Sequence, residues 1–174
     1  MIALGIDPGL KGAVCALTID PEPDAPPGTT CMIVPTPTEW TRINKKPRRV
    51  YDLGGMHRLL AGFEAVALVL VEKQHARPHD GTVSAFSTGY GFGAWCAFLH
   101  ALRFPYEVIE PKRWRKALGV PELKGVAGKR AIRTACENRL VMAKLSLDVS
   151  DAVALALVAR GLAKVTPPDL VPKN

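Results

Sequence analysis

The sequence has four cysteines, Cys15, Cys31, Cys96 and Cys136, but no CxxC pair and no Cys/His cluster. That spacing excludes the usual zinc sites. Cys15, Cys96 and Cys136 lie inside apolar stretches and read as small buried thiols of a reducing compartment. No apolar run approaches the roughly 18–20 residues of a membrane span. The N-terminus lacks a basic segment and meets an acid at Asp7, so no secretory leader is expected there. There is no internal repeat and no linker between composition blocks. Acids are the scarcer charge: 16 Asp and Glu stand against 23 Lys and Arg, for a net charge of +7. Such a surplus does not specify a fold, but it favours a polyanionic partner.

What is present suits one domain. A chain of 174 residues falls within the usual domain size and can bury a core without a disulfide or metal staple. Residues 2–7 and 12–19 read as two strands around the turn Asp7-Pro8-Gly9. A Pro-rich loop (20–27) and a third strand (29–35) follow. Residues 36–49 carry Arg42, Lys45, Lys46, Arg48 and Arg49 against Glu39 alone, and read as a mobile basic loop or hairpin. Helical spacing predicts a helix over 51–64. The run Val66–Val71 reads as a buried strand and residues 73–82 as a polar loop. Residues 84–102 read as a helix with small residues on one face, and 106–109 as a strand. Two Lys/Arg-rich helices (111–118 and 127–140) precede an apolar one (149–163), and the tail 165–174 is expected to fray. Alternation of strands and helices implies an α/β sheet with helices on its faces.

The chemistry is carried by acids. Asp7 ends the first buried strand and Glu72 follows the run 66–71 at once. If those strands are parallel neighbours, both acids leave the same sheet edge, where open α/β sheets place ligands. Asp148 and Asp151, three apart at the start of the last helix, would share a face. Four converging carboxylates repel one another unless some stay protonated or a divalent cation joins them. Mg²⁺ takes oxygen ligands and keeps waters, leaving room for phosphate oxygens, and a pair of such ions can flank a phosphodiester. A plainer reading stays open at this point. Asp148 could be an N-cap, Asp151 a first-turn acid held by the helix dipole, and the strand-end acids solvent-facing.

Read in order, several segments resemble the RuvC-type Holliday junction resolvases. Gly5-Ile6-Asp7-Pro8-Gly9-Leu10-Lys11-Gly12-Ala13 is similar to their first motif. Val69-Leu70-Val71-Glu72 resembles their second acidic strand. Gly81–Gly93 is similar to the helix that follows, Glu110-Pro111-Lys112-Arg113-Trp114 to the segment before their basic helices, and Asp148-Val149-Ser150-Asp151-Ala152 to their closing DxxDA motif. The resemblance implies a ribonuclease H-like fold, a mixed five-stranded sheet flanked by helices on both faces. It also implies a homodimer and hydrolysis of branched DNA, chiefly four-way junctions, with two Mg²⁺ per site and Mn²⁺ as substitute. Carried over residue by residue, it makes Asp7, Glu72, Asp148 and Asp151 the metal ligands. Lys129 is the first candidate for steadying charge near the site, with Lys112 second. The loops 20–28 and 36–49 look closer to phage members, so the expected setting is the cytoplasm of a bacterial cell, from a phage or prophage gene.

The expected phosphate footprint is Arg42, Lys45, Lys46, Arg48, Arg49, His75, Arg77, Lys112, Arg113, Arg115, Lys116, Lys124, Lys129, Arg130 and Arg133. With no base-reading motif, recognition should be of branch shape. After Glu72 the loop reads Lys73-Gln74-His75-Ala76-Arg77, without the aromatic found there in the housekeeping enzymes, which leaves Tyr90, Phe92 or His75 to stack on bases. Other readings fit less well. An actin-like phosphotransferase needs a second Gly-rich loop and a second lobe. A DnaQ-type exonuclease needs an acid where Gly9 stands. A catalytically silent DNA-binding relative, or a broader fork and flap nuclease, stays as the alternative. No nucleotide cofactor and no membrane partner are expected.

Overall fold

The central strand is dictated by alternation. In β1 (Ile2–Ile6), Leu4 and Ile6 point to one side of the sheet while Ala3 and Gly5 point to the other. The computed structural model describes residues 1–19, 30–76, 81–140 and 144–165, with side chains as far as Ala163. β2 (Ala13–Thr18) and β3 (Cys31–Pro35) extend the sheet on one side of β1, both antiparallel. β6 (Val66–Glu72) and β7 (Tyr106–Ile109) extend it on the other, both parallel. The order is β3-β2-β1-β6-β7. This is the expected mixed five-stranded sheet.

Helices cover both faces. On the Leu4 and Ile6 side, α1 (Leu53–Ala61) and α2 (Thr82–Ala101) contribute Met56, Leu60, Trp95 and Leu99. The Asp52 carboxylate accepts from Gly55 N–H at 2.8 Å and caps α1. On the other side lie α3 (Pro111–Leu118), α4 (Gly125–Leu140) and α5 (Ser150–Val165). α5 is buried without a break from Asp151 to Ala159. It can lie this close because Gly5 has no side chain. A Cβ there would run into the Ala152 carbonyl oxygen and the Ala156 amide, which are helix backbone.

The basic segment is an ordered β-ribbon: β4 (Thr38–Ile43) pairs antiparallel with β5 (Lys46–Tyr51), separate from the main sheet. Asn44 and Lys45 both have positive φ (52° and 61°), as a two-residue type I′ turn requires. Its base is anchored by Tyr51, whose ring lies against Gly91 of α2 and whose hydroxyl donates to the Pro8 carbonyl at 3.1 Å.

Four expectations need correction. The helix expected over 51–64 spans only Leu53–Ala61, because Tyr51 is the last residue of a strand and Asp52 caps the helix. Asp148 does not share a helix face with Asp151. It stands in the turn before Ser150, where the Ser150 hydroxyl donates to the Leu147 carbonyl at 2.9 Å. Of the three thiols read as buried, Cys96 is only half-buried. The order of elements gains the two ribbon strands. Arg77 and all of the tail but Val165 lie outside the described residues.

Candidate active site

The register sets the site. Gly5 pairs with Leu70 and Ile6 with Val71, so the next rung carries Asp7 beside Glu72. Both acids fall on the α5 side of the sheet, continuing the alternation of Ala3 and Gly5 in β1 and of Leu68 and Leu70 in β6. α5 crosses β1 at Gly5, and its first turn delivers Asp151 to the same edge. The loop between β1 and β2 is held tightly. Gly9 N–H donates to Asp7 Oδ1 at 3.3 Å, Gly12 N–H to the Gly9 carbonyl at 2.8 Å, and a Cβ on Gly12 would overlap the Asp7 carbonyl.

Burial and mutual repulsion then act on the acids. Burial first, and then Asp151 and Asp148, push Asp7 from 3.8 up to about 6, against the Gly9 amide and Lys129. Burial, Asp7 and Asp151 push Glu72 from 4.5 up to about 7, against a hydrogen bond from Trp114 and the charge of Arg115. Burial raises Asp151, with Lys129 and Arg115 opposing. Asp148 is exposed and stands at the rim, acting on Asp7.

Three participants come from the basic helices. Trp114, fully buried, donates from Nε1 to Glu72 Oε1 at 3.2 Å, and Gln74 donates to Oε2 at 3.2 Å. Arg115 lies over the Trp114 ring at 5.2 Å, and its charge acts on both Glu72 and Asp151. Of the two candidate lysines, Lys129 acts electrostatically on Asp7 and Asp151, whereas Lys112 pairs with Glu122 at 3.5 Å.

The acid cluster fits a hard divalent cation. Its donors are carboxylate oxygens, and Asp151 Oδ1 is buried with no hydrogen-bond partner among the described residues. In the structure Glu72 is turned toward Trp114 and Gln74, and Asp7 toward Gly9. Accordingly, no ready-made group of three or more His, Cys, Asp or Glu ligands occurs among the described residues.

The raised acids have a measurable consequence. A folded pKa above the unfolded one means that the native state holds its proton more tightly. That stabilisation is complete below the ordinary values of 3.8 and 4.5 and is lost as pH rises through about 6 for Asp7 and about 7 for Glu72. The Tm of the metal-free protein should therefore fall between about pH 5 and about pH 8, by an amount worth a few kcal/mol at most. Mg²⁺ should recover much of the loss at the higher pH. Calorimetry with and without chelator checks this, and a Tm flat across that range would contradict the burial of these acids.

The predicted phosphate contacts fall into three sets. Arg42, Lys45, Lys46, Arg48 and Arg49 line the exposed ribbon, where Arg49 Nε donates to Thr38 Oγ1 at 2.7 Å. Lys112, Lys116, Lys124, Lys129 and Arg130 are exposed on or beside α3 and α4. Lys112 and three further residues are engaged within the protein: Lys112 with Glu122 at 3.5 Å, His75 with Glu110 at 3.0 Å, Arg113 with Glu107 at 3.2 Å and Arg133 with Glu137 at 3.8 Å.

No family model matches the sequence, and no curated protein matches it either. The fold does match solved structures. Its architecture is that of a ribonuclease H-like α/β protein. More narrowly, it is the fold of RuvC. Thermus thermophilus RuvC superposes with a TM-score of 0.62 at 17% identity, over 95% of this chain and 96% of that one. T. thermophilus RuvC in complex with a Holliday junction substrate gives 0.61 at the same identity and coverage.

Proposed function

We propose that this protein is a divalent-metal-dependent endonuclease that cuts branched DNA, with four-way junctions as its main substrate. The observation that carries the reading is the joining of Asp7, Glu72 and Asp151 at one sheet edge, in a protein of net charge +7 with the RuvC fold. Asp7, Glu72, Asp148 and Asp151 would hold Mg²⁺, or Mn²⁺ in its place. When bound, the ions neutralise the acids and supply a nucleophilic water and positive charge for the phosphodiester. The chain's own residues do the rest. Trp114 and Gln74 orient Glu72, while Arg115 and Lys129 keep positive charge beside the acids, where a phosphate would arrive. Ribbon and helix cations bind the DNA backbone, so affinity should fall steeply with salt.

A homodimer, with one site for each of two symmetric strands, suits a four-way junction. Its surface is supported by Val83, Phe86 and Tyr90, exposed side by side on α2. The phage-type setting and the cytoplasmic location belong to the same proposal and rest on the sequence.

The test is cleavage of a labelled synthetic four-way junction beside a linear duplex, with and without Mg²⁺. Metal-dependent paired nicks confined to the junction are expected. Cutting of forks and flaps as well would broaden the role. Tight binding without cutting in Mg²⁺ or Mn²⁺ would overturn the catalytic reading and leave a silent junction-binding protein.

A further inference from the structure

The ribbon carries something its charge does not explain. Trp40 is 74% exposed, while Trp95 and Trp114 are completely buried. A large apolar ring left in water forgoes the stabilisation that burial normally brings. Its position is not random. Trp40 pairs across the ribbon with Arg49, and Arg42 with Pro47, so Trp40, Arg42 and Arg49 share one face. Thr38 and Tyr51 are on that same face at the ribbon's base, where the Tyr51 hydroxyl donates to the Pro8 carbonyl, the residue after Asp7. The ring therefore stands one same-face step out from a residue bonded to the acid-bearing loop. Ile43, half-exposed beside the turn, lies on the opposite face.

We infer that Trp40 is a stacking platform for an unpaired base at a DNA branch point, and that it gives the protein its preference for branched over linear DNA. This rests on the nuclease reading above and deepens it. The occupant follows from chemistry. The ring shares its face with two cations, Arg42 and Arg49, and with no acid, while the ribbon's one acid, Glu39, lies on the opposite face with Lys46 and Arg48, a poor match for an apolar protein face. An aromatic ring set between arginines matches a base flanked by phosphates. Bases inside a continuous duplex have both faces covered by their neighbours, and away from duplex ends only a branch, gap or single strand offers a free one. The ribbon, roughly 20 Å long at about 3.3 Å per residue, can reach such a base while its root stays on the site.

Binding of a four-way junction and a linear duplex is compared for Trp40→Val and Trp40→Phe, all in an Asp7→Asn background so that the DNA stays intact. Valine keeps strand propensity without an aromatic face. Trp40→Val should lower junction affinity by roughly 5- to 150-fold and leave duplex affinity within about twofold. Trp40→Phe should retain most of the preference. In the parent, junction but not duplex should shield Trp40 from acrylamide quenching. Equal losses on both DNAs, or no loss on either, would overturn the stacking role alone, provided that the Trp40 protein prefers junctions. If it shows no preference for branched DNA, the stacking role and the proposed substrate fall together.

Discussion

Asp7→Asn should abolish metal-dependent cleavage and, at the same time, make the metal-free protein more stable. The two effects have one cause. Asp7 is a partly buried carboxyl pushed up to about 6 by burial and by Asp151 and Asp148, and it in turn raises Glu72. Asparagine keeps the shape and can still accept the Gly9 amide while removing the charge. Loss of a site carboxylate should lower the cleavage rate on the order of 10²–10³-fold or more. Relief of repulsion should add about 1–3 kcal/mol near pH 8, and in a domain of this size each kcal/mol raises Tm by roughly 2–4 °C. The increase in Tm that Mg²⁺ gives the parent should shrink in the variant. Cleavage assays and paired melting curves read both. A variant that loses activity but melts lower, with its Mg²⁺ response intact, would mean that Asp7 supports the fold rather than the metal.

Gly5→Ala should be among the most damaging single-methyl changes in the molecule. The added carbon meets backbone of α5 at Ala152 and Ala156, with the Leu155 carbonyl carbon at 2.8 Å. A side chain could rotate away, but a helix buried from Asp151 to Ala159 can only move as a body. Overpacking commonly costs about 1–3 kcal/mol, and a backbone obstruction belongs at or above the top of that range. A fall in Tm of at least about 6 °C is expected, or an insoluble product. Any folded remainder should cleave poorly, because displacing α5 carries Asp151 away from Asp7. Gly161→Ala, on the same helix with nothing within 4 Å, should instead stabilise by about 0.5–1 kcal/mol. If both variants melt alike, the contact between β1 and α5 is looser than described.

Legibility in the sequence followed burial. Val66–Glu72 announces its strand because helices cover the sheet on both faces there, and apolar run length reports that directly. The ribbon has the opposite problem. Thr38–Ile43 and Lys46–Tyr51 are almost wholly exposed, so no alternation of apolar and polar residues marks them, and only their charge can be read. Tyr51 looked like a helix opener because its partners, Pro8 and Gly91, are distant in sequence. Asp7, Glu72 and Asp151 were legible because each sits at the end of a readable element. Trp114 was quoted as part of a motif, but its bond to Glu72 spans 42 positions and no local pattern encodes it. Arg115 was one cation in a row, and only the geometry of α3 separates it from Lys112 and Lys116. Trp40 gave no signal, since an exposed aromatic and a buried one are the same letter.

The acid cluster is drawn from β1, β6 and the start of α5, and the last of these is the last described element of the chain. During synthesis, at roughly 5–20 residues per second, several seconds separate the appearance of Glu72 from that of Asp151. Through that interval the emerging chain holds two of its three clustered acids, and β1 lacks the helix that crosses it at Gly5. The ribbon cations are exposed much earlier. On the proposed nuclease reading, a nascent chain would bind nucleic acid before it could cut it, and the capacity to cut would come only once α5 has docked.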